Sequence, residues 1–365
     1  MFKKYFGSEE VNTERQVEFD VARAFSIVGM IITHCYESSG LEFTKGIGGL
    51  ITVIFGSFFG ATLFMFYMGA AIRYSRHSDS KSLILRGIVT FVIGYALNIF
   101  RKVLPWIVVD SITGVGFDRY AYIILLFGLD ILQFAGLSFI ALGIAKKINM
   151  PDKYLLLIAV VLSIIGSLTK GMEIDNPLVA ELLGLFIGTK YNGEIVGFFS
   201  FCHYFLFVAF GYYYGKIWKR CKDKKGFYLR FSPIFGVIGI LGFAIEIIYG
   251  FGIVGVGDLS LYYFIGIPDA FLCFSNAMAI SGIYYHMSIF CNNRFVRITR
   301  NLSSNIEFIY IFHLILARWI IFVLLINVLH IEMTNLIVIL VAVFLAILSY
   351  KCALLVKKTN GDTRW

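Results

Sequence analysis

Residues 18–37 read Glu-Phe-Asp-Val-Ala-Arg-Ala-Phe-Ser-Ile-Val-Gly-Met-Ile-Ile-Thr-His-Cys-Tyr-Glu. The run is long and apolar enough to enter a bilayer, yet it carries Asp20, Arg23 and His34. A charge at membrane depth costs at least about 2.5–3.5 kcal/mol, so such groups face a protein interior or a wet cavity and usually have a task. Arg23 and His34 are eleven residues apart, which is three helical turns plus about 20°. Both therefore point the same way, about 16 Å apart along the axis. Asp20 and Glu37 lie near the same face, one turn beyond each end of the pair. The first helix thus presents a polar stripe that reaches from one side of a membrane almost to the other, and the spacing predicts that Arg23 and His34 look into one shared passage.

Composition points the same way. Of 365 residues, 59% are hydrophobic and only 15% charged, against about 25% charged in an ordinary soluble protein. With a mean hydropathy of +0.81 the chain is read as all-α, a polytopic membrane protein. Ten apolar segments are predicted, near Phe19–Tyr36, Gly49–Ile72, Leu83–Phe100, Tyr122–Ala145, Tyr154–Leu168, Val196–Tyr214, Ile234–Tyr249, Ile267–Tyr285, Asn305–Ile326 and Leu336–Leu355. Of the 32 Lys and Arg residues, most fall on the side that holds the N-terminus when the segments are counted alternately. Only Lys45, Arg101, Lys102, Arg119, Lys170 and Lys190 fall on the far side, and Arg23, Arg318 and Lys351 lie within spans. Basic residues concentrate in cytoplasmic loops, so both termini are predicted cytoplasmic and the +9 net charge needs no nucleic-acid partner. Residues 1–365 form one membrane domain, with a cytoplasmic N-terminal segment over 1–18 and a cytoplasmic tail over 356–365.

Two outer stretches exceed simple turns, 102–121 and 170–195. In the second, Pro177 begins an apolar run too short to span, read as an interfacial or re-entrant helix. The six cysteines form no CxxC, which leaves neither a metal cage nor a disulfide framework in the pattern. There is no HExxH, GxSxG or P-loop, so zinc-protease, serine-hydrolase and NTPase readings lack support.

His34 is the first candidate for chemistry, because imidazole acts as base or nucleophile near neutral pH and Glu37 stands at i+3, within reach to orient the ring. Arg23 with Asp20 reads either as a snorkelling arginine with its ion pair or as a buried cation facing an anion from the cytoplasm. Arg73, Arg76 and Arg86 follow in the first inner loop and third span, where guanidinium forks suit phosphates and where ordinary inside anchors are also expected. Arg294, Arg297 and Arg300 step by three along another inner run and carry the same two readings. Asp130, His313 and Arg318 sit within spans and should turn toward the bundle interior. His203 and Glu246 are read as satisfied structural polar groups.

Asp20-Val-Ala-Arg23, followed by ten residues and then His34, resembles the D-x-x-R…H first helix of integral-membrane acyltransferases. That superfamily includes the acyltransferase-3 group and the heparan-α-glucosaminide N-acetyltransferase-like group. Asp130-Ile-Leu-Gln-Phe-Ala-Gly-Leu-Ser, Phe198–Lys216 with its Gly211-Tyr-Tyr-Tyr-Gly215, and Ile309-Tyr-Ile-Phe-His313 resemble the second group in the same order. Ala24 replaces the usual glycine after the arginine, and Met68-Gly69 replaces the Ser-Gly of the first group. The resemblance implies transfer of an acetyl or other acyl group from cytoplasmic acyl-CoA to a hydroxyl or amine of a glycan or related acceptor. With no signal peptide or lumenal extension visible, a bacterial plasma membrane is expected. On that reading His34 is base or acyl-accepting nucleophile, Glu37 orients it, and Arg23, Arg73, Arg76 and Arg86 hold the donor. Asp20, Asp130, His313 and Arg318 support them, with acetyl-CoA as co-substrate, membrane lipid as solvent and no metal. The competing class is a transporter or carrier of a glycan or lipid-linked substrate that uses the stripe as a permeation path.

Overall fold

A computed structural model describes residues 2–41, 60–114, 116, 119–250 and 263–359. The outer half of the second predicted span, residues 49–59, and residue 118 lie outside the described residues, as does the end of the tail from 360. The chain is almost entirely helical. Its long helices are α1 (Val17–Ser39), α2 (Ala61–Ile72), α3 (Ser80–Thr113), α4 (Arg119–Phe127), α5 (Ile131–Lys147) and α6 (Asp152–Thr169). After the short α7 (Pro177–Gly184) come α8 (Phe201–Trp218), α9 (Lys224–Tyr249), α10 (Ile267–Phe290), α11 (Asn293–Ser304), α12 (Ile306–Val328) and α13 (Asn335–Thr359).

Among the described residues α3, α6, α9, α12 and α13 are long and apolar enough to cross a bilayer, and the α4–α5 pair makes a sixth crossing if counted as one. Their outward faces explain the composition: Leu157, Val161, Ile240, Leu241, Leu340 and Val343 are exposed, as side chains that meet lipid rather than water must be. α1 is the central element. It packs against α2, α10, α11, α12 and α13, and most of its side chains are buried; along its polar stripe Asp20 is buried, Arg23 and His34 are half-buried and Glu37 is exposed.

Without a hydrophobic drive between helices in lipid, close backbone approach supplies the contact. α2 lies against α8 through the Gly211-Tyr-Tyr-Tyr-Gly215 run: a Cβ at Gly211 would overlap the Phe66 carbonyl, and one at Gly215 would sit 2.7 Å from the Ala70 carbonyl. α3 and α5 repeat the device, since a Cβ at Gly136 would fall 2.7 Å from the Gly87 carbonyl. A larger residue at any of these positions would push two helices apart.

Two features depart from the sequence expectation. The third span does not end at Phe100; it runs on to Thr113 through a short stretch of wider π-helical winding at Ile99–Val103. The stretch from 102 onward, expected as an outer loop, is thus helical as far as Thr113, and Arg101 is buried within the helix. The fourth span is broken: α4 and α5 meet at an angle of 46° across Gly128-Leu129-Asp130. A break at membrane depth frees backbone groups that lipid cannot satisfy. Here the buried Asn98 amide donates to the Leu126 and Gly128 carbonyls at 2.9 and 2.8 Å. Asp130 caps the start of α5 by accepting from the Ile131 N–H, and its own N–H donates to Gln133 Oε1 at 3.2 Å.

The run from Pro177 forms α7, capped by Asn176, which accepts from the Leu178 and Val179 N–H groups. It sits beside a small sheet in which β1 (Met172–Glu173) pairs in parallel with β2 (Thr189–Tyr191) and β2 pairs antiparallel with β3 (Glu194–Ile195). Asn192 and Gly193, both at positive φ, make the two-residue turn between β2 and β3 that this pair of residues favours.

Candidate functional site

The C-terminal half of α1 ends in His34 and Glu37. The His34 Nδ1–H donates to Glu37 Oε2 at 2.7 Å. An ionised carboxylate can only accept, so this bond fixes a proton on Nδ1 and, in the neutral imidazole, leaves Nε2 as the lone pair. The His34 side chain keeps 17% of its surface exposed. Across from it stands α12, which brings His313 to a ring-centroid separation of 5.4 Å and Tyr310 to 6.5 Å. His313 is fully buried, and its Nδ1–H donates to the Ile309 carbonyl at 3.0 Å. A carbonyl cannot donate, so this bond places a proton on Nδ1; in the neutral ring the His313 Nε2 carries the lone pair, and no partner meets it among the described residues. Two imidazoles, each with its Nδ1 proton held by an acceptor, thus share one side of the bundle.

Behind them lies an ion pair that holds the site in shape. The Tyr310 hydroxyl donates to Asp130 Oδ1 at 3.0 Å, and Asp130 also pairs with Arg101. Arg101 Nε donates to Asn98 Oδ1 at 3.3 Å. Asp130 stands at the N-terminus of α5, where the helix dipole favours an anion. The break in the fourth span therefore serves the site: it turns a helix start, and the carboxylate that caps it, toward the histidines. Arg318 lies further along α12, its guanidinium over the Trp106 and Phe322 rings.

At the other end of α1, Asp20 is fully buried and collects four donors. Arg15 reaches it with Nε at 2.7 Å and Nη2 at 2.8 Å, Arg23 with Nη2 at 3.0 Å, and Ser303 of α11 with its hydroxyl at 2.7 Å. Arg23 spends Nε on the Phe19 carbonyl at 3.4 Å, which leaves further guanidinium donors for an anion. Two residues earlier, buried Glu18 accepts from Trp218 Nε1 and from Lys224 Nζ, both at 3.0 Å. Two acids in the first turn suit the positive helix end.

The other basic residues divide. Arg86 pairs with Glu307 at the start of α12, stacks over Phe139 and lies close enough to Arg23 for the two charges to repel. Arg73 pairs with Asp152, which Lys216 shares at 2.5 Å, and stacks at 3.6 Å on Tyr212. It is therefore tied to α6 and α8 rather than grouped with Arg23. Arg76 is exposed in the turn before α3.

Sequence reasoning missed Arg15, Ser303, Arg101 and Tyr310. Tyr310 stands three residues before His313, and Asn98 three before Arg101, so helical spacing alone carried a signal for both. Among the described residues no group of His, Cys, Asp and Glu is arranged to hold a metal ion.

Against this geometry, the family model described as "Heparan-alpha-glucosaminide N-acetyltransferase, catalytic" matches residues 15–250, well over half of the chain. The chain belongs to this family. No curated protein and no solved structure matches it. Membership in the heparan-alpha-glucosaminide N-acetyltransferase family, with the apolar helices, marks the chain as an integral-membrane acetyltransferase. The matched region holds Asp20, Arg23, His34, Glu37, Arg101 and Asp130. It stops before α10–α13, which supply Ser303, Tyr310 and His313 to the two ends of α1.

Proposed function

We propose that the chain moves an acetyl, or another acyl, group from cytoplasmic acyl-CoA to a hydroxyl or amine of a glycan or related acceptor on the far side of the membrane. The observation that carries this reading is the His34 Nδ1–Glu37 Oε2 bond of 2.7 Å, with His313 beside it. A carboxylate that holds the Nδ1 proton makes Nε2 basic and stabilises the imidazolium formed when it takes up a proton. In direct transfer, His34 Nε2 removes the acceptor proton, the acceptor oxygen or nitrogen bonds to the thioester carbonyl carbon, and the carbon–sulfur bond breaks. The proton then passes to the CoA thiolate. In the two-step version Nε2 itself takes the acyl group, releases CoA, and gives the group to the acceptor. His313, its own Nε2 free, assists proton movement, and Asp130, Arg101 and Tyr310 hold α12 and α5 in register behind the pair. Arg318 adds positive charge on the same outer half.

The donor's phosphates meet Arg23 and Arg86 at the inner end, with Arg76 at the mouth and Arg73 at its edge. Asp20 holds Arg23 in place. The pantetheine arm then lies along α1, in a passage from Arg23 to His34. On this reading α1, α2, α8 and α10 also cross the membrane, α4–α5 counts once, and ten crossings leave both termini in the cytoplasm of a bacterial plasma membrane.

The test uses purified protein, acetyl-CoA labelled in the acetyl group, and amino-sugar or hydroxyl acceptors. Label is expected on the acceptor with stoichiometric release of free CoA. Substrate uptake into vesicles that needs no CoA, with no label transferred, would overturn the enzyme reading in favour of a carrier.

A further inference from the structure

At the Asp20 end of α1 lies α11, an amphipathic helix part of whose surface is unaccounted for by the site. It joins the end of α10 to the start of α12. Its inward face is fastened to α1, where the buried Ser303 donates to Asp20 at 2.7 Å; the exposed Ser304 hydroxyl accepts from Nη2 of Arg15, just before α1, at 2.9 Å. Thr299 and Ser303 are buried. Its outward face carries Arg294, Arg297 and Arg300, all exposed, and no carboxylate pairs with them among the described residues. Apolar surface adjoins them: Ile298 is 48% exposed, and at the end of α10 Phe290 is 81% exposed. A row of unpaired guanidinium groups beside exposed apolar side chains, on a helix between two apolar ones, fits the level where acyl chains meet headgroups.

We infer that α11 is a docking face for anionic phospholipid headgroups of the cytoplasmic leaflet, and that the lipid bound there sets the affinity for the acyl donor. Three arginines stepping along one face complement a negatively charged lipid surface, and the exposed Ile298 and Phe290 point to lipid rather than to a soluble anion. The coupling runs through Asp20. The carboxylate that binds Ser303 of α11 also holds Arg23, the residue assigned above to the donor phosphates. A headgroup that steadies α11 against α1 therefore steadies Arg23. This coupling rests on the acyltransferase reading; the lipid site itself does not.

Each arginine adds roughly fivefold to lipid affinity, and the three together about 100-fold. The experiment compares wild-type protein with the triple variant Arg294→Gln, Arg297→Gln, Arg300→Gln in nanodiscs of phosphatidylcholine, with and without phosphatidylglycerol. Wild type is expected to retain phosphatidylglycerol in native mass spectra and to show a KM for acetyl-CoA several-fold lower in its presence, with kcat little changed. The triple variant is expected to lose the retained lipid and to show one KM in both membranes. Ser303→Ala is expected to keep the lipid but lose the KM response. Equal lipid retention by wild type and triple variant would overturn the site. A KM response that survives in the triple variant or in Ser303→Ala would overturn the coupling. Absence of acyl transfer in every membrane would instead defeat the acyltransferase reading and the coupling with it, and would leave the lipid-retention result to decide the site alone.

Discussion

At the scale of single residues, the account turns on two carboxylates that set the behaviour of neighbours. Glu37 fixes the His34 tautomer, and Asp20 gathers Arg15, Arg23 and Ser303. Glu37→Gln removes the charge that stabilises the imidazolium, so kcat is expected to fall about 10²-fold or more with KM for the donor little changed. Steady-state kinetics with labelled acetyl-CoA reads this, and an unchanged kcat would mean that Glu37 orients nothing. Asp20→Asn leaves two guanidinium groups without their shared anion. A broken buried pair costs about 3–5 kcal/mol, so a lowered thermal midpoint in detergent and a raised KM for acetyl-CoA are expected together. Much of this was legible in the chain, because Asp20, Arg23, His34 and Glu37 repeat at helical spacing on one short stretch. Arg15 and Ser303 were not: the first precedes the helix, the second is 283 positions from its partner, and periodicity reports only neighbours on the same element.

At the scale of elements, the broken fourth span and the lengthened third build the surroundings of His34 and His313. A sliding apolar window saw one continuous segment near 122–145, because Gly128 and Leu129 do not lower hydropathy and one aspartate does not end an apolar run. What marked the break was local chemistry: glycine, then Asp130 with Gln133 three residues on, the pattern of a helix start. Arg101 was assigned to an outer loop because charge usually ends a span. It stays in the helix because Asp130 neutralises it, and hydropathy cannot see a partner 29 residues away. Arg101→Gln should therefore destabilise the fold by about 3–5 kcal/mol, and the double change Arg101→Gln with Asp130→Asn by less than the sum of the two single changes, as a double-mutant cycle in detergent would show. The Gly211-Tyr-Tyr-Tyr-Gly215 run was visible as a motif, but only its contact with α2 gives its purpose. Gly211→Ala should force α8 from α2 at a cost of about 1–3 kcal/mol; a thermal midpoint equal to wild type would contradict that packing.

At the scale of the whole molecule, one helix carries an arginine–carboxylate cluster at one end and an imidazole at the other, and the rest of the bundle is arranged around it. α11 and α12 complete the two ends from a part of the chain that the family match does not reach. The polytopic, all-α character followed from composition. Which faces of α1 meet which helices did not, because an apolar helix in lipid shows little amphipathic bias and small residues and ion pairs choose its neighbours. The claim on which the rest depends is that His34 performs the transfer. It is tested most directly by a single-turnover assay of the His34→Ala variant, purified in parallel with wild type and matched to it in thermal midpoint, with acetyl-labelled CoA and acceptor. The account predicts label on the acceptor with wild type and none above the uncatalysed rate with the variant. Transfer by the variant at the wild-type rate would contradict it.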